Sequence, residues 1–267
     1  MLQAALVAAL AAAYALAAWD ARRRGRRVSR RRVLAFAAGV AVLLAALWSP
    51  LDRLGEHDLF SAHMAQHLLI GDVAPLLVVL GLDGPLLRPL LALRPLRALR
   101  VLAHPVVALP LWAADLCVWH VTPLFDAALR HDAVHALQHS LFFACGVLVW
   151  AALLEPLPGP AWFSAGRKLA YVGGMWLVTL ALAQVFLWSS RPYYARYVHA
   201  RHTWGLGALA DQRAGGGVML VEGSLVLLGV AAWLLFRLLA ESETRRRLLD
   251  AGVRPEAAAR AARYGRS

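Results

Sequence analysis

Two pairs of histidines are spaced to act together. His63 and His67 are four residues apart, as are His135 and His139, and His131 stands four before His135. Residues at i and i+4 share a helix face, so on helices each pair presents two imidazoles to one point. Imidazole ligates copper, zinc, iron and haem. Two softer donors sit nearby: Met64 is three residues before His67, and Cys117 is three before His120. Thioether and thiolate favour Cu(I). The chain has no glycine-rich phosphate loop, nucleophile elbow or paired CxxC, and Cys117 and Cys145 lie in apolar runs that imply no disulfide framework.

The elements that must position these rings are membrane helices. Of 267 residues, 60% are apolar and 16% charged, and the mean hydropathy is +0.57, whereas a soluble domain sits near 45–50% apolar. Apolar stretches near 2–19, 33–50, 59–81, 101–119, 134–154, 169–188 and 216–239 are each long enough, at about 20 residues, to cross a hydrocarbon core roughly 30 Å thick. No water is available there to satisfy backbone groups, so the spans should be helices. The expected fold class is all-α: a polytopic membrane protein with seven transmembrane helices, residues 1–240 as one domain and 241–267 as a basic cytoplasmic tail.

Charge orients the bundle. Segments 20–32, 82–100, 155–168 and 237–267 carry 22 of the 28 basic residues, and the opposite segments carry six. Basic residues accumulate on the cytoplasmic side, so the N-terminus is expected outside and the C-terminus in the cytoplasm. The first span has no positive charge before it and eight arginines between Arg22 and Arg32 after it. That is the reverse of a signal peptide's order, and it reads as a retained helix. The run is a topology determinant, and no nucleic-acid partner is expected. The tail beyond 241 reads as an amphipathic helix able to touch anionic lipid or a partner.

With this topology nine of the ten histidines fall at the outer face, and only His104 is at the inner end. His63, His67, His135 and His139 then lie at one depth on parallel spans and are expected to form one metal site, with His131 and His120 as further metal ligands, His120 at its rim. Asp115 and Glu222 are expected to orient histidines from the outer half, with Asp72 deeper. Asp126 and Asp211-Gln212 are expected to tie the outer loops over the cluster.

These residues also carry a resemblance. His63-Met64-Ala65-Gln66-His67-Leu68-Leu69 with Ala74-Pro75-Leu76-Leu77 is similar to one signature of the CtaG-type cytochrome c oxidase assembly factors. Trp119-His120, Pro123, Leu124-Phe125-Asp126-Ala127-Ala128, His135-Ala136-Leu137-Gln138-His139, Trp150 and Pro156 resemble a second. Tyr193-Tyr194, Asp211-Gln212, Gly215-Gly216 and Met219 resemble a third. The resemblance, over about residues 59–222, implies a seven-helix protein of the bacterial cytoplasmic membrane that helps to build haem–copper oxidase at its copper step. The expected function is therefore a non-enzymatic accessory factor with a cytochrome c oxidase subunit as partner and copper as its metal. The alternative is a membrane haem protein, with His67 and His139 ligating one haem between the third and fifth spans. A hydrolase or transporter fits less well: no carboxylate stands as general base beside a histidine pair, and polar residues do not continue to the inner face.

Overall fold

A computed structural model describes residues 2–87, 98–200 and 203–264, and among them there is no β-strand. Helices α1 (Leu2–Arg23) and α2 (Arg30–Trp48) are joined by the arginine-rich turn, where Gly25 takes a φ of 73° that favours glycine. A short α3 (Pro50–His57) leads into α4 (Phe60–Leu80). Then follow α5 (Pro105–Trp119), α6 (Thr122–Arg130), α7 (Asp132–Leu154), α8 (Ala165–Leu187), α9 (Ala208–Asp250) and α10 (Pro255–Tyr264).

Among the described residues six helices are long and apolar enough to cross a membrane: α1, α2, α4, α7, α8 and α9. The pair α5 and α6, bent by 72° after Trp119, passes the same test only when taken together, as a broken span or a re-entrant loop, and brings the candidates to as many as seven. The span expected over 101–119 is in its main part the 15-residue helix α5, and the bend stands at its end. Pro123 near the start of α6 lacks an N–H, which starts a new helix there and does not extend α5. Helix α9 differs too. Its 43 residues reach roughly 64 Å at 1.5 Å per residue, so it passes through the expected boundary at 240–241 and projects beyond any bilayer. The tail is therefore not one helix: it continues α9 to Asp250 and then folds back as α10.

Helix α4 is the hub, packed against α2, α7 and α9, while α1 lies at the edge. Half of the most apolar window of α4 and of α7 is buried, against 11% for α1, so the two central helices are the ones that carry the histidine pairs. Small residues set the helix spacing. A Cβ on Gly146 of α7 would lie 2.1 Å from the Gly71 carbonyl oxygen of α4, and one on Gly215 of α9 would lie 2.5 Å from Phe60. Such close approach is how helices associate where lipid is as apolar as the side chains. At the contact with Gly146, α4 relaxes into a π-turn over Leu69–Val73, in which the Ala74 N–H reaches back five residues to the Leu69 carbonyl. Pro75 explains it: with no N–H to give to the Gly71 carbonyl, and a ring that would clash with it, the helix widens.

Candidate metal centre

The four paired histidines meet. In α4 the rings of His63 and His67 are 4.1 Å apart between centroids, and in α7 those of His135 and His139 are also 4.1 Å apart. His63 faces His135 at 5.4 Å and His67 faces His139 at 5.3 Å. The helices run parallel in register, and the rings form a two-by-two array with none more than 6% exposed. Ligand atoms of His63, His67 and His135 all lie within 4.8 Å of one another. Nitrogens bound to one tetrahedral ion at 2.0–2.1 Å stand ~3.3 Å apart, so small ring rotations would close the triad on an ion.

The chemistry of the donors fits such an ion. Among the described residues both ring nitrogens of His67, and Nε2 of His120, His135 and His139, are buried without a hydrogen-bond partner. His63 adds two more: its ring sits beside the Gly55 carbonyl without a bond of normal geometry. A buried polar atom left unpaired is costly, and seven in one cluster mark a place built for something else to bind.

Neighbouring groups hold the rings in place. Glu56 Oε1 lies 2.8 Å from His135 Nδ1 and accepts a hydrogen bond from it, which leaves Nε2 for the cluster. That is the carboxylate–histidine arrangement by which proteins orient metal ligands. The hydrogen bond from His135 holds the Glu56 carboxyl below its ordinary value of 4.5. Gln3 Nε2 on α1 lies 3.1 Å from His139 Nδ1. Gln66 donates to the Ala46 carbonyl at 3.0 Å and to Asp52 at 2.6 Å, tying α4 to α2 and α3. Gly55 is buried with His63 Cα 2.9 Å from where its Cβ would be, so α3 can lie on the site only because that residue is glycine.

Two residues expected to tie outer segments do so. Asp211 in the first turn of α9 is 2% exposed and accepts from the Phe60 N–H at 2.6 Å, the Ser61 N–H at 3.1 Å and the Ser61 hydroxyl at 2.5 Å. It thereby caps α4, whose own Leu59 offers no capping side chain. Gln212 accepts from the Tyr193 N–H at 2.7 Å and donates to the Arg191 carbonyl at 3.2 Å. Tyr194 and Tyr197, from the same loop, donate at 2.8 and 2.7 Å to the His120 and Gly55 carbonyls. Phe125 on α6 stacks on Tyr194 at 3.9 Å and lies 5.2 Å from His63, closing the cluster on that side.

Other expected residues fall elsewhere. His131 is exposed and precedes the first turn of α7, in extended conformation at φ −131°. The i,i+4 rule does not extend to a residue outside the helix, so its ring is not with His135. His120 is not at the rim but 8% exposed, with its ring 6.1 Å from His67 and Nδ1 2.7 Å from the Leu116 carbonyl. The α5–α6 bend folds α6 over it. Cys117 is exposed on the outer face of α5 and does not join His120. Asp126 is half-buried, and its charge acts on Tyr194 of the loop that follows α8. Asp115 sits beside Trp119 and Cys145, and Glu222 leaves both carboxyl oxygens unpartnered; neither orients a histidine. Asp72 accepts from the Trp150 indole at 2.8 Å. Met64 is 1% exposed, between the cluster and a cavity below it. His104 is remote, at the start of α5 with its ring against Trp162, and His202 lies outside the described residues.

Glu56 and Gln3 were not singled out by sequence. Nothing in spacing links residue 56 to residue 135, and an acid beside His57 was the only available hint.

Fold and site together define a class: a polytopic helical membrane protein with a buried all-imidazole centre at one end of its bundle. Residues 12–241 match the cytochrome c oxidase caa3 assembly factor family, and the chain belongs to it. Uncharacterized proteins of Mycobacterium bovis and Mycobacterium tuberculosis are each 29% identical over 237 residues, covering 78% of this chain and 34% of the relative. One of Mycobacterium leprae is 28% identical over 168 residues, covering 55% of this chain and 24% of the relative. The chain thus spans about a third of the length of the first two. No solved structure matches it.

Proposed function

We propose that this protein holds copper at His63, His67 and His135, with His139 beside them, and supports maturation of the copper site of a cytochrome c oxidase in the bacterial cytoplasmic membrane. The observation that carries the reading is the triad itself: three nine-tenths-buried imidazoles whose ligand atoms lie within 4.8 Å of one another. Family membership supports the oxidase as the protein served and an oxidase subunit as the partner. The split of basic residues supports the histidine end facing outward, where metal arrives.

A point ion suits the packing better than haem. With rings 4.1 Å apart along each helix and 5.3–5.4 Å apart across the pair, no slot separates His67 from His139 for a macrocycle. The deciding experiment is metal analysis of protein purified in mild detergent, with and without added Cu(I), together with a visible spectrum. Bound copper that His63→Ala and His135→Ala abolish, with no Soret band, supports the reading. A Soret band, or copper indifferent to those substitutions, overturns it.

A further inference from the structure

Directly beneath the triad lies a cavity of about 50 Å³. A single water needs roughly 10–15 Å³ on this measure, so an ion with a water fits. Two imidazoles, His67 and His120, and two thioethers, Met64 and Met219, share its walls with three acids, Asp72, Asp115 and Glu222. His67 is 6% exposed with both nitrogens unpartnered. One nitrogen suffices for the triad; the other takes a second ion when metal binding releases the ring proton to solvent, which leaves a bridging imidazolate. His120 is 8% exposed; its Nδ1 is held by the Leu116 carbonyl, which orients the ring and leaves Nε2 without a partner.

We propose that this cavity is a second metal site, selective for Cu(I) and built by His67, His120, Met64 and Met219, with His67 shared between it and the triad above. The inference rests on the copper reading of the triad. The upper set is all imidazole, a donor that suits several metals, whereas thioethers select Cu(I). Among the described residues the acids join no group of three with a histidine that converges as the triad does. Their part is to ionise when a cation arrives, so that the charge they gain offsets the cost of burying it at this depth. Glu222, with both oxygens unpartnered, is the group with most to gain. A shared ligand makes the two sites neighbours, so an ion can pass from one to the other without leaving the protein.

The test uses the whole chain with its four methionines replaced by selenomethionine, loaded with Cu(I) under reducing conditions in mild detergent. Metal content and absorption at the selenium edge are read together. Two ions per chain and a copper neighbour at selenium are expected. The double variant Met64→Leu/Met219→Leu, a nearly volume-conserving change, should lose that neighbour and one ion, keeping the ion that His63→Ala/His135→Ala removes. One ion per chain with no copper at selenium overturns the second site and leaves the triad standing. No copper in the wild type removes both readings. The selenium signal of the wild type needs no variant, so misfolding of the double variant cannot obscure the result.

Discussion

Within the centre, single side chains divide into those that would bind and those that aim the binders. His63, His67 and His135 are the binders, and replacing any one with alanine should lower copper affinity by more than an order of magnitude. His104→Ala and His131→Ala should leave affinity unchanged in the same titration, because neither ring reaches the cluster. Glu56 aims His135. Its carboxyl is held below 4.5 by the His135 hydrogen bond, so the ionised form is favoured by folding. The stabilisation from this contact is fully present above pH 4.5 and is lost as pH falls through the lowered value. Thermal unfolding of metal-free protein should therefore show Glu56→Gln less stable than wild type by a constant margin from neutral pH down to about 4.5. Below that the margin should close. A margin that does not change with pH would show that Glu56 acts only by packing.

Among the helices, the site depends on how closely α4 and α7 approach and on how α4 begins. A Cβ at Gly146 would meet the Gly71 carbonyl oxygen at 2.1 Å and Pro75 at 2.8 Å. Gly146→Ala must therefore push the helices apart, at a cost of about 1–3 kcal/mol, and draw His135 and His139 away from their partners. A lower unfolding temperature together with weaker copper binding is the expected result. Gly166→Ala, with nothing within 4 Å of its Cβ, is the control that should change neither. At the start of α4 stands Asp211, whose three hydrogen bonds cap the helix. Asp211→Ala leaves buried donors unpaired and should cost roughly 1–3 kcal/mol, read as reduced thermal stability, and loosen the histidines one turn below.

For the molecule as a whole, the arginine-rich turn and tail stand at the end away from the histidines. A reporter fused to the C-terminus should be active only in the cytoplasm, and one inserted in the 189–207 loop only outside; the reverse would turn the metal centre inward. At the end away from the histidines Glu155 is buried between Lys168 Nζ at 3.0 Å and Arg263 Nη2 at 2.6 Å, and Arg263 also donates to the Phe163 carbonyl at 2.8 Å. This ties α10 to the loop between α7 and α8. Removing one partner of a buried pair leaves its counter-charge uncompensated, so Arg263→Ala should lower the unfolding temperature while copper binding at the far end is retained.

Residue type and order were enough to establish a helical membrane bundle and to pick out its chemistry. Bilayer thickness sets the length of an apolar run and helical periodicity sets the i,i+4 face, and both are local properties of the chain. Hence the spans and the pairs His63–His67 and His135–His139 were legible, as was the polar character of Asp211-Gln212. The π-turn and the bend after Trp119 were less so, because Pro75 and Pro123 announce a disturbance without saying which way the helix will go. Contacts between distant segments were not legible. Glu56 reaches His135 only because Gly55 lets α3 lie on α4, and His120 is buried only because α6 folds over it. His131 shows the converse: its spacing matched, but the helix begins one residue too late for the spacing to apply. Spacing acts within one helix, whereas the meeting of rings from two helices is decided by how glycines let separate helices approach.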